Sequence, residues 1–134
     1  MTARATGTFE VKLAPLPTMD MRPTGEPSLE SFDKQIHGDL EGTSKGEMLT
    51  AATSVKGSGA YVAIERVTGS LHGRTGVVCA ATHRHHDPWS SPQLSITVVP
   101  DSGTGQLAGL TGQFLVVIAD GKHSYEYSLS ETSN

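Results

Sequence analysis

The chain predicts an all-β protein, an eight-stranded antiparallel meander closed into a barrel. Three observations carry that expectation. Fifteen glycines and seven prolines cut the 134 residues into short segments rich in Val, Ile, Thr and Tyr, the punctuation of strands and turns. Apolar residues nowhere sustain helical spacing. The length suits one domain of the usual ~100–150 residues, so the strands must share one core, and closure leaves no sheet edge open to aggregation.

The punctuation sets the elements in order. Thr8–Leu13 lies between Gly7 and Pro15, and Ser31–Glu41 follows a proline-rich stretch and ends at Gly42. Ser44–Ser54 precedes the Gly57/Gly59 pair, and Gly59–Leu71 runs to Gly73. Gly76–Thr82 is the fifth strand, and Gln93–Val99 sits between Pro92 and Pro100. Gly112–Asp120 and Lys122–Leu129 divide at Gly121. Linkers this short join antiparallel neighbours. The exception, Ala14–Leu29, holds Pro15, Pro17, Pro23 and Pro27 and is expected as an irregular loop or lid across one end. Ser130–Asn134 is expected as a disordered tail. An interior of eight strands is either filled by side chains or holds one small ligand.

Composition excludes several classes of function. With 10 Lys and Arg against 14 Asp and Glu, a net charge of −4 and no basic run, nothing tracks a phosphate backbone, and no nucleic-acid partner is expected. Leu, Ile, Val and Phe make up about a fifth of the chain, which predicts a folded but lightly filled domain. The single Cys79 rules out a disulfide within the chain. The opening residues lack the apolar stretch of a signal peptide, and no run reaches the ~18–20 residues of a membrane span. A soluble cytoplasmic protein with no membrane partner is expected.

Successive strand residues face opposite sides. In the second strand Phe32, Lys34, Ile36 and Leu40 share one face, and Asp33, Gln35, His37, Asp39 and Glu41 the other. Lys34, the one charge in an apolar set, is expected to snorkel past a strand end rather than sit in a cavity with a partner. His37, among carboxylates, belongs on a solvated surface. In the fourth strand Ala60, Val62, Ile64, Arg66 and His72 suit an outer wall, which turns Tyr61, Ala63, Glu65, Val67 and Leu71 inward. A carboxylate there must be paired, hydrogen-bonded or protonated. Glu65 is read first as a structural pair with Lys34 or Arg66, and second as a polar anchor or general acid/base facing a ligand. His123, Tyr125, Tyr127 and Leu129 alternate in the last strand, giving an inner face whose polar tips suit orienting a ligand as well as packing. The candidate ligand-binding residues are therefore Lys34, Tyr61, Glu65, His123 and Tyr125, with no catalytic residue assigned and no cofactor expected.

Other motifs weigh little. THRHHDPW, Thr82–Trp89, gathers three histidines and Asp87 at a spacing like half of a cupin metal motif, but the cupin glutamate and glycine framing are missing, and no metal is expected. Cys79 has no basic neighbour in sequence, and no GxSxG elbow occurs. DSGTG, Asp101–Gly105, lacks the lysine of a P-loop and reads as a glycine-rich turn.

Four blocks, FDKQIHGDLEGTSKGEML (Phe32–Leu49), YVAIERVTGSLHGR (Tyr61–Arg74), PQLSITVVPDSGTGQLAGLTG (Pro92–Gly112) and IADGKHSYEY (Ile118–Tyr127), resemble the bacterial family known as domain of unknown function 3224. They span most of the chain and are specific in combination. The resemblance implies a barrel of the allene oxide cyclase type, a group that includes dirigent-like proteins and some cyclases of natural-product biosynthesis. GTGQLAGLTG (Gly103–Gly112) is similar to the glycine-rich turn of that wider group. The family implies a fold and no established activity.

Between Gly76 and Pro92 the pattern departs. Family members are expected to read something like SFVLQHTGTMTRGA where this chain has VVCAATHRHHDPWSS. Codons can be chosen so that the same nucleotides, read one position later, encode the family strand, and residues 77–91 are read as a compensated frameshift. Val77–Thr82 still suits a strand. His83–Ser91, with Pro88 unable to donate to a ladder, is expected to leave the sheet, with Trp89 covered by the barrel wall or a neighbouring subunit.

The leading functional reading is a barrel that binds a small, largely apolar molecule in its interior. A cofactor-free cyclase or isomerase with an interior Glu or Tyr as general acid/base is the rival. A filled core serving assembly, with the chain as a homo-oligomer, is the third.

Overall fold

The computed structural model describes residues 2–16, 26–89 and 93–131. Alternating residues form eight strands: β1 (Thr2–Leu16), β2 (Glu26–Gly38), β3 (Leu40–Ala52), β4 (Gly59–Leu71), β5 (Arg74–His86), β6 (Gln93–Val98), β7 (Leu110–Ala119) and β8 (Lys122–Glu131). Each pairs antiparallel with the next and β1 pairs with β8, so the barrel closes in sequence order as expected. Two hairpins turn in two residues, at His72–Gly73 (φ 50° and 80°) and Asp120–Gly121 (φ 52° and 74°), the left-handed pair that matches strand twist. Among the described residues no helix is long and apolar enough to cross a membrane.

One end of the barrel is plugged. Leu40, Leu71, Val98, Leu110 and Tyr127 are buried there with Leu107, which the short 3-10 turn Gly105–Leu107 carries inward. The other end opens along two seams. Pairing between β1 and β8 extends to Phe9 and His123, while β1 continues against β2 to Leu16. Among the described residues, pairing between β5 and β6 covers only Ala80–Thr82 against Val98–Ile96, while β5 continues against β4 to His86.

These seams explain where the structure departs from the expected elements. Within the expected loop Ala14–Leu29, Ala14–Leu16 continue β1 and Glu26–Leu29 begin β2. Pro15 lies past the last β8 partner, so it occupies a stretch of strand with one free side, where proline is tolerated, and Pro27 pairs with Ala51 of β3. The rest of that loop, residues 17–25, lies outside the described residues. The second strand ends at Gly38, not Glu41. Gly38 takes φ 114°, and Asp39 and Glu41 carboxylates accept from Thr6 and Gly38 N–H at 2.9 and 2.8 Å, closing a corner that no paired turn dipeptide announces. Ser130 and Glu131 extend β8 against β1 and β7 rather than forming a tail; the remainder of the expected tail, residues 132–134, lies outside the described residues.

Residues 77–89 also correct the expectation. His83–His86 remain in the sheet against β4, and the strand stops before Pro88, as expected of a residue that cannot donate. Trp89 is 93% exposed, without cover from the barrel wall. The Asp87 carboxylate accepts from Trp89 N–H at 2.9 Å, holding a turn that directs the indole outward. Residues 90 and 91 lie outside the described residues.

Candidate functional site

The interior of the open half is set by which residues face inward from each strand. Glu65 on β4 stands in register between Gly46 of β3 and Ala80 of β5, so neither neighbour fills the space beside its carboxylate. Inward residues of β3 are small at Gly42, Ser44 and Gly46. A Cβ at Gly46 would press into the Phe32 ring. That clearance lets Lys34 reach across β3 from β2. Its Nζ donates to both Glu65 oxygens, at 3.1 and 2.9 Å, and Ser44 Oγ donates to one of them at 2.8 Å. Lys34 and Glu65 are only 11% and 5% exposed. The ammonium also lies over the faces of Phe9 and Phe32, 4.8 and 5.2 Å from the ring centres, where ring quadrupoles favour a cation.

Lys34 therefore does not snorkel. It sits mid-strand with its partner in reach, and the first reading of Glu65, a pair with Lys34, is the one found. Arg66 faces outward.

Above this pair lies a cavity of about 330 Å³. Its walls are mostly apolar, with Phe32, Met48, Ala63, Leu94 and Ile96 among them, and it opens past Leu13 and Ile118, which are 52% and 37% exposed. A groove of about 690 Å³ on the outer wall over Val62 and Ile64 is larger, but the buried ion pair belongs to the interior cavity.

Four of the five expected site residues line this cavity: Lys34, Tyr61, Glu65 and His123. Tyr61 is paired across β4–β5 with Arg84; burial pushes its phenol pKa up, and the charge and hydrogen bond of Arg84 partly offset that. His123 lies tilted against the Phe9 ring, 5.0 Å between centres, and burial, with the Lys34 charge adding, holds its imidazole below the ordinary 6.5. Tyr125 points inward as expected but lies deeper, beside a void of about 20 Å³. Its hydroxyl accepts from Leu40 N–H at 3.1 Å and donates to the His37 carbonyl at 3.0 Å, bracing the β2–β3 corner. Burial raises its pKa.

Sequence reasoning missed Ser44, Met48, Thr50, Thr82 and Arg84. Parity along β3 was the available signal, since Gly42, Ser44, Gly46, Met48 and Thr50 fall on one face. Thr50 Oγ1 is buried without a hydrogen-bond partner, and Thr50 lines the cavity. His83 and His85 lie edge to face, 4.7 Å apart, and His86 bonds the Gly57 carbonyl at 2.9 Å. Among the described residues no group of three or more His, Cys, Asp or Glu could hold a metal ion.

Comparison with known proteins agrees with this architecture. A crystal structure of a protein of unknown function from the DUF3224 family of Shewanella oneidensis MR-1 is similar, with a TM-score of 0.91 and 39% identity, over 99% of this chain and 100% of that one. A structure named pyocyanin demethylase shares the fold, with a TM-score of 0.60 and 18% identity, over 97% of this chain and 100% of the other. No curated protein matches the chain. The profile of the family described as protein of unknown function (DUF3224) matches residues 5–129, and the chain belongs to that family.

Proposed function

We propose that the barrel binds one small, largely apolar molecule in its interior, above Lys34 and Glu65. The observation that carries this reading is the cavity itself: about 330 Å³ of apolar-walled space, open at one end and floored by a buried ion pair. That volume falls in the lower part of the ~300–1,000 Å³ range of small-molecule sites. A core filled for assembly would place side chains in that space. Against acid/base catalysis by Glu65, both of its oxygens accept from Lys34 and one also from Ser44, an arrangement that suits a counter-ion better than a proton carrier. The protein named pyocyanin demethylase shares fold alone, and none of its chemistry is carried over.

Native mass spectrometry of the protein purified from its own host tests the reading. The expected result is a retained small molecule that is lost from Met48→Trp, where the indole takes up cavity space while circular dichroism stays that of a barrel. Absence of any adduct from the wild type, or equal retention by the variant, would overturn it.

A further inference from the structure

The floor of the cavity specifies more than apolarity. We infer that the innermost group of the ligand is an uncharged hydrogen-bond acceptor, a carbonyl or ring nitrogen, taken by Lys34 Nζ. This rests on the binding reading above and names the class of molecule the site takes. An ammonium has three donors. Glu65 engages Nζ through both oxygens at 3.1 and 2.9 Å, which leaves one N–H for a ligand. The residues flanking Nζ, Phe9 and Phe32, present ring faces, which do not compete as acceptors for it as a carbonyl would.

Charge decides between kinds of acceptor. Lys34 and Glu65 sum to zero, and Ser44 adds a hydroxyl rather than a second cation. An anionic headgroup would bring an unbalanced negative charge to a wall of Phe9, Phe32, Ile96 and Val116, a costly placement. His123, held neutral by burial and by the Lys34 charge, offers no compensation at neutral pH. A cationic headgroup would meet the ammonium and compete with it for Glu65. An acceptor-free hydrocarbon would leave the remaining N–H unbonded.

Three probes with the same two-ring body separate these cases: 2-acetylnaphthalene, 2-ethylnaphthalene and 2-naphthoate, titrated by calorimetry against the full chain. The ketone is expected to bind roughly 10-fold more tightly than the ethyl compound, the worth of a charge-assisted hydrogen bond, and naphthoate most weakly. In the double variant Lys34→Met, Glu65→Met, which removes both charges and keeps unbranched side chains, the ketone preference should fall to about 2-fold or less while 2-ethylnaphthalene still binds. Equal binding of ketone and ethyl compound by the wild type would refute the acceptor inference and leave the pocket reading standing, as would tightest binding by naphthoate. A ketone preference that survives in the double variant would place the donor elsewhere and refute the role of Lys34. Failure of all three probes to bind wild type and variant alike would overturn the pocket reading, and this inference with it.

Discussion

Replacing Lys34 by Met removes the ammonium and leaves the hydrocarbon stem against Phe9 and Phe32. Glu65, 5% exposed, then keeps the single hydrogen bond from Ser44. Removing one member of a buried pair typically costs ~3–5 kcal/mol, chiefly because the remaining charge is stranded. The cavity above Glu65 gives water a route to the carboxylate, which places this case near the lower end, at about 3 kcal/mol. A chain of this length unfolds with an entropy of about 0.28 kcal/mol/K, so the melting temperature should drop by about 10 °C. Replacing Glu65 by Met as well removes the stranded charge, and the double variant should lie within about 2 kcal/mol of the wild type despite the acceptor lost to Ser44. Urea unfolding of both single variants and the double, closed as a thermodynamic cycle, measures the coupling directly. A loss below about 1 kcal/mol for Lys34→Met, with coupling below about 0.5 kcal/mol, is the behaviour of a solvated surface pair and would refute the account of a buried pair at the cavity floor.

Other expectations follow from single contacts. Tyr125→Phe strands the buried Leu40 N–H and should cost about 1–3 kcal/mol in urea unfolding with no change in probe affinity; a selective loss of affinity would return Tyr125 to the binding site. The His123 imidazole should titrate below 6.5 by NMR. Because the unfolded chain takes up that proton at higher pH, its contribution to stability is complete above 6.5 and is lost as pH falls through the lowered folded value. A midpoint at or above 6.5 would contradict the burial of His123 beside Lys34. Thr50→Val removes a buried hydroxyl without a partner and should be neutral or stabilising by up to about 1 kcal/mol; clear destabilisation would mean that the hydroxyl is bonded in the unliganded protein. Sequencing the gene should show codons for residues 77–91 that regroup, one nucleotide later, into the family strand.

Much of the fold was legible because period-two alternation and punctuation speak directly of strands. The expected bounds of β4, Gly59 and Leu71, are those of the structure, and its expected inward face is the buried one, because a run of outward residues ending in Arg66 fixes the parity of Glu65. The errors fall where local signals and the sheet disagree. Pro15 reads as loop in the sequence because nothing there reveals that the β8 side of β1 lacks a partner at that point. The β2–β3 corner carries no turn signature in the sequence because one glycine and two carboxylates make it. Lys34 reads as a snorkelling side chain in the sequence because snorkelling is decided by distance to a partner, and the partner lies 31 residues away.

The fifth strand shows which part of the site depends on this chain in particular. The His72–Gly73 turn fixes its register, and pairing then runs unbroken from Leu71–Arg74 to Gly59–His86, since a ladder depends on backbone groups and accepts most side chains. What the side chains decide is the volume left inside. Register sets Ala80 beside Glu65 and Thr82 beside Ala63, so β5 contributes small residues next to the ion pair, as Gly46 does from β3. A long inward side chain at position 80 would fall against the Glu65 carboxylate and take up the space above it. The barrel and its register are therefore properties of the backbone pairing, whereas the room above Lys34 and Glu65 is a property of two small residues flanking one glutamate.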